Sequence, residues 1–201
     1  MTEQDSSLEG AARDPARLIE WIQAAKRGNI DSFRQIYDRF ARKVLNFVFR
    51  MAGSAEEAED LTQETFMAVY QKLGSLKDDS KFEPWLFRIA RNLVYQRYRS
   101  RPPTTVPIDA EDEDGRELNQ VVDERKTPEE AFEAGELGRV VQDVISGLPD
   151  KYREVFILSA LQHLSYQEIS EIVGRSLASV KTDIHRARLN VRRQVKEYLS
   201  V

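Results

Sequence analysis

Apolar residues recur at steps of three and four along most of the chain, the period of a helix that buries one face. The longest run is Phe33, Ile36, Tyr37, Phe40, Val44, Val48 and Met51, with Asp31 placed to cap it and Gly53 to stop it. Ser54 and Glu57 then stand at capping-box spacing. The helix they open carries Ala58, Leu61, Thr65, Val69 and Leu73 on one side and ends at Gly74. A polar stretch, SLKDDSK, separates it from FEPWLFRIARNLVYQRYRSR, where Pro84 suits a first helical turn. Trp85, Leu86, Ile89, Leu93 and Val94 form the apolar stripe of that segment, and Pro102-Pro103 end it. An earlier short helix, roughly residues 16–27, packs Leu18, Trp21 and Ile22.

These elements predict a first helical domain over residues 16–100, behind a disordered tail at 1–15. Residues 101–126 hold few aliphatic side chains, three prolines and many acids. Such a composition buries too little apolar surface to offset the entropy of ordering, so a flexible linker is expected. A second domain, 127–201, opens at TPEE, with Thr127 as cap, Pro128 at the first helical position and Glu130 closing the box. Leu137, Val140, Val141 and Val144 follow, a break comes at Gly147-Leu148-Pro149, and a helix runs through Val155, Phe156 and Leu158. No alternation of period two survives inspection. The expected fold is all-α: two small helical domains joined by an acidic linker.

Composition narrows the chemistry. The 201 residues contain no Cys, which excludes disulfides and thiolate metal sites, and only two His. No apolar run approaches the roughly 20 residues that span a bilayer, and the polar start does not resemble a leader. An intracellular, cytoplasmic protein is expected, with no membrane insertion, no metal and no cofactor. The net charge of −4 conceals a sorting into blocks. Residues 109–136 carry twelve acids and three bases, and residues 52–71 five acids and no base. Residues 81–101 carry six bases and one acid, and residues 175–201 seven bases and two acids.

The last basic block lies in LSYQEISEIVGRSLASVKTDIHRARLNV. Ser165 and Glu168 form another capping box, Ile169, Ile172 and Val173 face inward, Gly174 supplies a tight turn, and Ser176 caps the next helix. Helix, short Gly turn, helix is the helix-turn-helix pattern. On a wheel of about 100° per residue, Val180, Ile184, Ala187, Val191 and Val195 share an arc of about 80°. Lys181, Thr182, His185, Arg188, Arg192 and Lys196 lie outside it, flanked by Arg186 and Arg193. One face is core; the other is cationic and long enough to lie along DNA. Residues early in a recognition helix reach base edges and later cations reach phosphates.

Two distant stretches then point to one family. AEDLTQETFMAVYQKL followed by FEPWLFRIARNLVYQRYR resembles region 2 of bacterial RNA polymerase sigma factors of the extracytoplasmic-function group. LPDKYREVFILSALQHLSYQEISEIVGRSLASVKTDIHRARLNVRR resembles their region 4. The resemblance implies a promoter-specificity subunit that binds core RNA polymerase, recognises −35 and −10 elements and promotes DNA opening for a stress or envelope regulon. Its implied partners are the clamp helices of the largest subunit, the flap of the second-largest, promoter DNA and an inhibitory anti-sigma factor. Asp60, Gln63 and Glu64 match the D-x-x-Q-E signature that faces the clamp. Trp85, Arg88, Arg91 and Asn92 match the −10 helix: aromatic, cations and amide suit the stacking, phosphate neutralisation and edge hydrogen bonds of an unpaired strand. The loop with Ser75, Lys77, Asp78, Ser80 and Lys81 matches the segment that holds a flipped base. Ser179, Lys181, Thr182, His185, Arg186, Arg188 and Arg192 fall on the −35 reading helix. Asp183 departs from the family pattern, where a cation is common; an acid there would repel phosphate or accept from cytosine N4. The linker matches the segment that threads the RNA exit path.

Two other classes compete with this reading. A stand-alone helix-turn-helix regulator explains residues 164–193 but neither the D-x-x-Q-E segment nor the Trp-Arg-Asn helix. An enzyme is disfavoured: there is no Cys, no phosphate-cradling Gly loop and no H-E-x-x-H helix.

Overall fold

The structure, a computed structural model, describes residues 14–100 and 140–198. Residues 1–13 of the expected tail, the acidic linker, the Thr127–Pro128–Glu130 helix start and Leu137 lie outside the described residues, whereas Asp14 and Pro15, expected in that tail, start α1. Among the described residues every regular element is helical and no strand occurs.

The first domain contains α1 (Pro15–Lys26), α2 (Ile30–Ala52), α3 (Ala55–Lys72) and α4 (Phe82–Ser100). Asp14 caps α1 by accepting from the Ala16 amide at 2.9 Å. The cap of α2 is Asn29, whose Oδ1 accepts from the Ser32 amide at 2.8 Å. Asp31, expected as that cap, instead lies in the first turn, where its charge faces the positive end of the helix dipole. Gly53 closes α2 at φ 77°, a left-handed conformation that costs a residue with a Cβ about 1–2 kcal/mol. Ser54 Oγ accepts from the Glu57 amide at 3.3 Å to open α3.

Ile36, Phe40, Val44, Val48 and Met51 of α2 are buried, as their spacing predicts, together with Phe47. The stripe of α4 is rotated from the expected one. Phe82, Leu86, Phe87, Ala90 and Val94 are fully buried, while Trp85, Ile89 and Leu93 are half-buried. Aromatic pairs join α2 to α4: Phe40 meets Phe82 at 5.4 Å and Phe47 meets Phe87 at 5.5 Å between centroids. Such offset contacts add about 0.5–1.5 kcal/mol to the burial itself.

In the second domain residues 140–146 are helical. Next come α5 (Asp150–Phe156), a π-helical turn over Ile157–Leu161, α6 (Tyr166–Val173) and α7 (Leu177–Tyr198). The capping box at Ser165 and Glu168 is complete. Gly174 ends α6 at φ 69°, and Ser176 Oγ accepts from the Ser179 amide at 3.3 Å at the start of α7. Val180, Ile184 and Ala187 seat α7 against the core, and Val191 and Val195 are half-buried. The two domains touch: α4 packs on α6, and Val155, Ile157, Leu158 and Ile169 belong to the same apolar cluster as the first-domain core.

Candidate nucleic-acid interface

Asp60, Gln63 and Glu64 follow the i, i+3, i+4 spacing of one helix face, and all three are exposed on α3. Glu64 also accepts from Arg97 Nη2 at 2.6 Å. The face extends beyond these three residues. Met67 and Tyr70 continue it at 64% and 51% exposure, and on α2 Tyr37 and Ile30 are 40% and 61% exposed. Tyr70 stands edge-on to Phe33 and Tyr37 edge-on to Phe66, so the exposed rings are held from below. An acidic helix face thus borders an apolar strip. Large apolar residues exposed together mark an interaction surface more often than a solvated one.

The polar loop between α3 and α4 has a fixed shape. It holds two 3₁₀ turns, Leu73–Ser75 and Asp79–Lys81, with Leu76 buried between them. Lys26 of α1 reaches across, donating to the Leu76 carbonyl at 2.6 Å and to Asp79 Oδ1 at 2.5 Å. Asp78 accepts from the Ser80 amide at 3.0 Å and the Ser80 hydroxyl at 2.6 Å, and these bonds hold its carboxyl below the ordinary range. Ser75 donates its hydroxyl to the Lys72 carbonyl at 2.6 Å.

Beside this loop lies an open recess of about 370 Å³, lined by Ser75, Leu76, Lys77, Asp78, Lys81, Pro84, Trp85 and Arg88, with Glu171 of the second domain at its edge. That volume sits at the small end of ligand sites, about 300–1,000 Å³. The structure therefore brings Ser75, Lys77, Asp78 and Lys81 of the expected loop together with Trp85 and Arg88 of α4. Trp85 is half-buried, with its ring 6.0 Å from that of Phe82, and is one of the residues lining the recess. Ser80 and Asn92 are not in the lining; Asn92 is exposed farther along α4. Arg91 points to the second domain, where its Nε donates to Glu154 Oε2 at 2.8 Å.

On α7, Lys181, Thr182, His185, Arg186, Arg188 and Arg192 are exposed; Ser179 is half-buried at the helix start, where its amide donates to the Ser176 cap. Two of the arginines have neighbours: Arg186 Nη1 donates to the Tyr152 hydroxyl at 3.3 Å and Arg188 Nη2 to Ser159 Oγ at 3.4 Å. The bond to Arg186 lowers the pKa of the Tyr152 phenol.

Asp183 requires a correction. It is buried rather than exposed with the cations of α7, and its Oδ2 accepts from Arg175 Nη1 at 2.6 Å. Through Nη2, Arg175 also donates to Glu154 Oε1 at 2.8 Å. A carboxylate at position 183 is tolerated because Arg175, one residue past the turn glycine, supplies the cation from the other side. Asp183 therefore offers no exposed carboxylate among the cations of α7. Charge counting along the chain could not reveal this, because the partner is eight residues away across a turn.

Comparison with known proteins finds relatives for both domains. Residues 36–102 match sigma-70 region 2, and residues 138–191 match sigma-70 region 4. The chain is 38% identical over 179 residues to the extracytoplasmic-function sigma factor SigW of Bacillus subtilis, covering 88% of this chain and 95% of that one. It is 32% identical over 196 residues to SigE of Mycolicibacterium smegmatis, covering 98% of this chain and 72% of the relative. Among solved structures, CnrH in complex with the cytosolic domain of CnrY superposes with a TM-score of 0.67 at 24% identity, covering 90% of this chain and 98% of that one. The sigma factor RpoE of Bartonella quintana, solved with the anti-sigma factor NepR, gives 0.64 at 23%, covering 82% and 96%. With both helical domains matched in order and identity sustained over nearly the whole length, the chain belongs to the extracytoplasmic-function family of RNA polymerase sigma factors.

Proposed function

We propose that this chain joins core RNA polymerase through the α3 face, reads −35 DNA with α7, and captures one unpaired −10 base in the recess beside the 75–81 loop. The recess carries the reading. Half-buried Trp85 offers part of its ring, Arg88, Lys77 and Lys81 offer cations, and the Ser75 hydroxyl and the Asp78 carboxylate offer groups for a base edge. Base stacking on an aromatic contributes about 1–3 kcal/mol, comparable with the few kcal/mol needed to flip a base. Opening of the duplex therefore needs no nucleotide hydrolysis, and the chain itself catalyses no reaction. Pinning of the loop by Lys26 lowers the ordering cost of capture, since the pocket exists before the base arrives.

On α3, Asp60, Gln63 and Glu64 supply acceptors for a basic partner helix, and Met67 and Tyr70 supply the apolar area that carries most of an interface's energy. On α7, Lys181, Thr182 and His185 face bases, while Arg188 and Arg192 neutralise phosphates. No described helix is long and apolar enough to cross a membrane, and the chain works in the cytoplasm with the polymerase. An anti-sigma factor would act by covering these same faces; the similar folds of RpoE and CnrH were solved bound to NepR and to the cytosolic domain of CnrY. The test is run-off transcription with core polymerase on genomic fragments: discrete transcripts that require this chain support the reading, and none above core alone refutes it. A stand-alone regulator would bind DNA without core and start no transcript.

A further inference from the structure

We propose that Lys26 is the positioning residue that makes the 75–81 loop selective for one −10 base, so that α1 belongs to the promoter-reading apparatus. This rests on the assignment of the recess to −10 DNA. The match to region 2 begins at residue 36, beyond α1. Lys26 is not among the residues that line the recess; it acts through what it holds.

The end of α1 is a fixed platform. Ile22 and Ala25 are buried in the core cluster of the first domain. The chain then turns at Gly28, φ 91°, where the Gly28 amide donates to the Ala25 carbonyl at 2.9 Å and the Asn29 amide to the Ala24 carbonyl at 3.1 Å. Lys26 follows Ile22 by four residues, so it leaves α1 on the same side, at the margin of the core. A lysine ammonium has three donors. Two serve the loop: Nζ donates to the Leu76 carbonyl at 2.6 Å and to Asp79 Oδ1 at 2.5 Å. These acceptors bracket Lys77 and Asp78, two of the lining residues. Leu76 follows the first 3₁₀ turn, with its amide donating to the Leu73 carbonyl at 3.1 Å, and Asp79 opens the second. One cation thus fixes the span between the two turns, and with it one wall of the recess. The Lys26 and Asp79 side chains are only 22% and 16% exposed, so water screens this pair less than a surface pair.

A formed wall and an unformed one hold DNA differently. Without the wall, a single strand is held by cations on its phosphates, and such contacts carry no sequence information. Capture of a flipped base needs the wall, and its apparent strength falls with the fraction of chains in which the wall is formed. Loss of Lys26 therefore weakens promoters that carry the preferred base and spares those that do not.

The test is single-round transcription by the holoenzyme on four promoters that differ only at the −10 position governed by the loop. Lys26→Met keeps the length of the side chain and removes both donors. Output from the promoter with the preferred base should fall by about tenfold, while the other three promoters and the affinity for core polymerase change little. Lys26→Arg retains donors for both acceptors and should keep the preference. Asp79→Ala leaves only the bond to the Leu76 carbonyl and should give an intermediate loss. An unchanged ratio of preferred to other bases in Lys26→Met overturns the proposal. So does an equal fall on all four promoters, which marks a structural role alone. Where Lys26→Met does not fold, Asp79→Ala decides by the same ratio. Exchange of the whole loop separates the two readings. A −10 profile that survives the exchange overturns the recess assignment itself, whereas a profile altered by the exchange but not by Lys26→Met overturns only the role of Lys26.

Discussion

Replacing Arg175 with alanine should destabilise the second domain by about 3 kcal/mol. The side chain joins two buried carboxylates, Glu154 at 3% and Asp183 at 9% exposure. Without it Glu154 keeps Arg91 and Tyr95, but Asp183 loses the cation that compensates its charge. Removing one partner of a buried pair costs about 3–5 kcal/mol, and Arg175 is a quarter exposed, which places the loss at the lower end. For a chain of this length 1 kcal/mol corresponds to about 2–4 °C, so the melting temperature should fall by roughly 6–12 °C. Asp183→Asn should cost less, since Arg175 would still serve Glu154. The informative variant is Arg175→Ala combined with Asp183→Arg. One arginine already spans Glu154 and Asp183, so a guanidinium rooted at 183 lies within reach of Glu154. That double variant should recover about half of the lost stability, within the usual scatter of coupled neighbours. Thermal unfolding followed by circular dichroism measures all three. Arg175→Ala melting within about 1 °C of the parent, against the several degrees expected, or a double variant no better than the single, would refute the reasoning.

Gln63→Ala with Glu64→Ala should weaken core polymerase binding by about tenfold without lowering the melting temperature, because both side chains are exposed; equal affinity in a pull-down titration would contradict the α3 assignment. Arg192→Ala should weaken promoter binding alike for all −35 sequences and flatten its salt dependence by about one unit of slope, whereas Lys181→Ala should change which −35 bases are preferred. Identical, sequence-independent losses would abolish that division between readers and positioners. Phe87→Ala should cost about 3–5 kcal/mol, because the ring is fully buried and packs on Phe47; chemical denaturation measures it, and a loss under about 1 kcal/mol would contradict the rotated α4 stripe.

Much of the fold was legible because helices announce their buried face through a fixed period. Most of the α2 run and the core face of α7 lie where that period puts them, although Tyr37 of the run is exposed and Phe33 half-buried, and Gly53, Gly174 and the Ser165–Glu168 box mark true ends. Errors arose where a choice depends on three dimensions. Asn29 and Asp31 are both good caps, and the turn formed by Gly28 decided between them. On α4, Trp85 and Leu86 are adjacent, and only the position of α2 selects Leu86 and Phe87 over Trp85 and Ile89 for the interior. Charge blocks located the basic faces of α4 and α7. They could not show that Arg91 faces Glu154, 63 residues away, or that Asp183 is neutralised from across the turn. Those are pairings between elements, and one chain read alone carries no record of them.

The central claim is that the recess beside the 75–81 loop selects a −10 base while α7 selects the −35 element. Transcription by core polymerase carrying this chain, from a promoter library randomised across both elements, tests it most directly when repeated with the loop exchanged for an unrelated seven-residue segment. The predicted result is two enriched motifs at a fixed spacing, with the exchange altering preference at one −10 position and leaving the −35 motif unchanged. An unaltered −10 profile would make the loop a connector only, and the absence of any enriched motif would contradict the assignment of both surfaces.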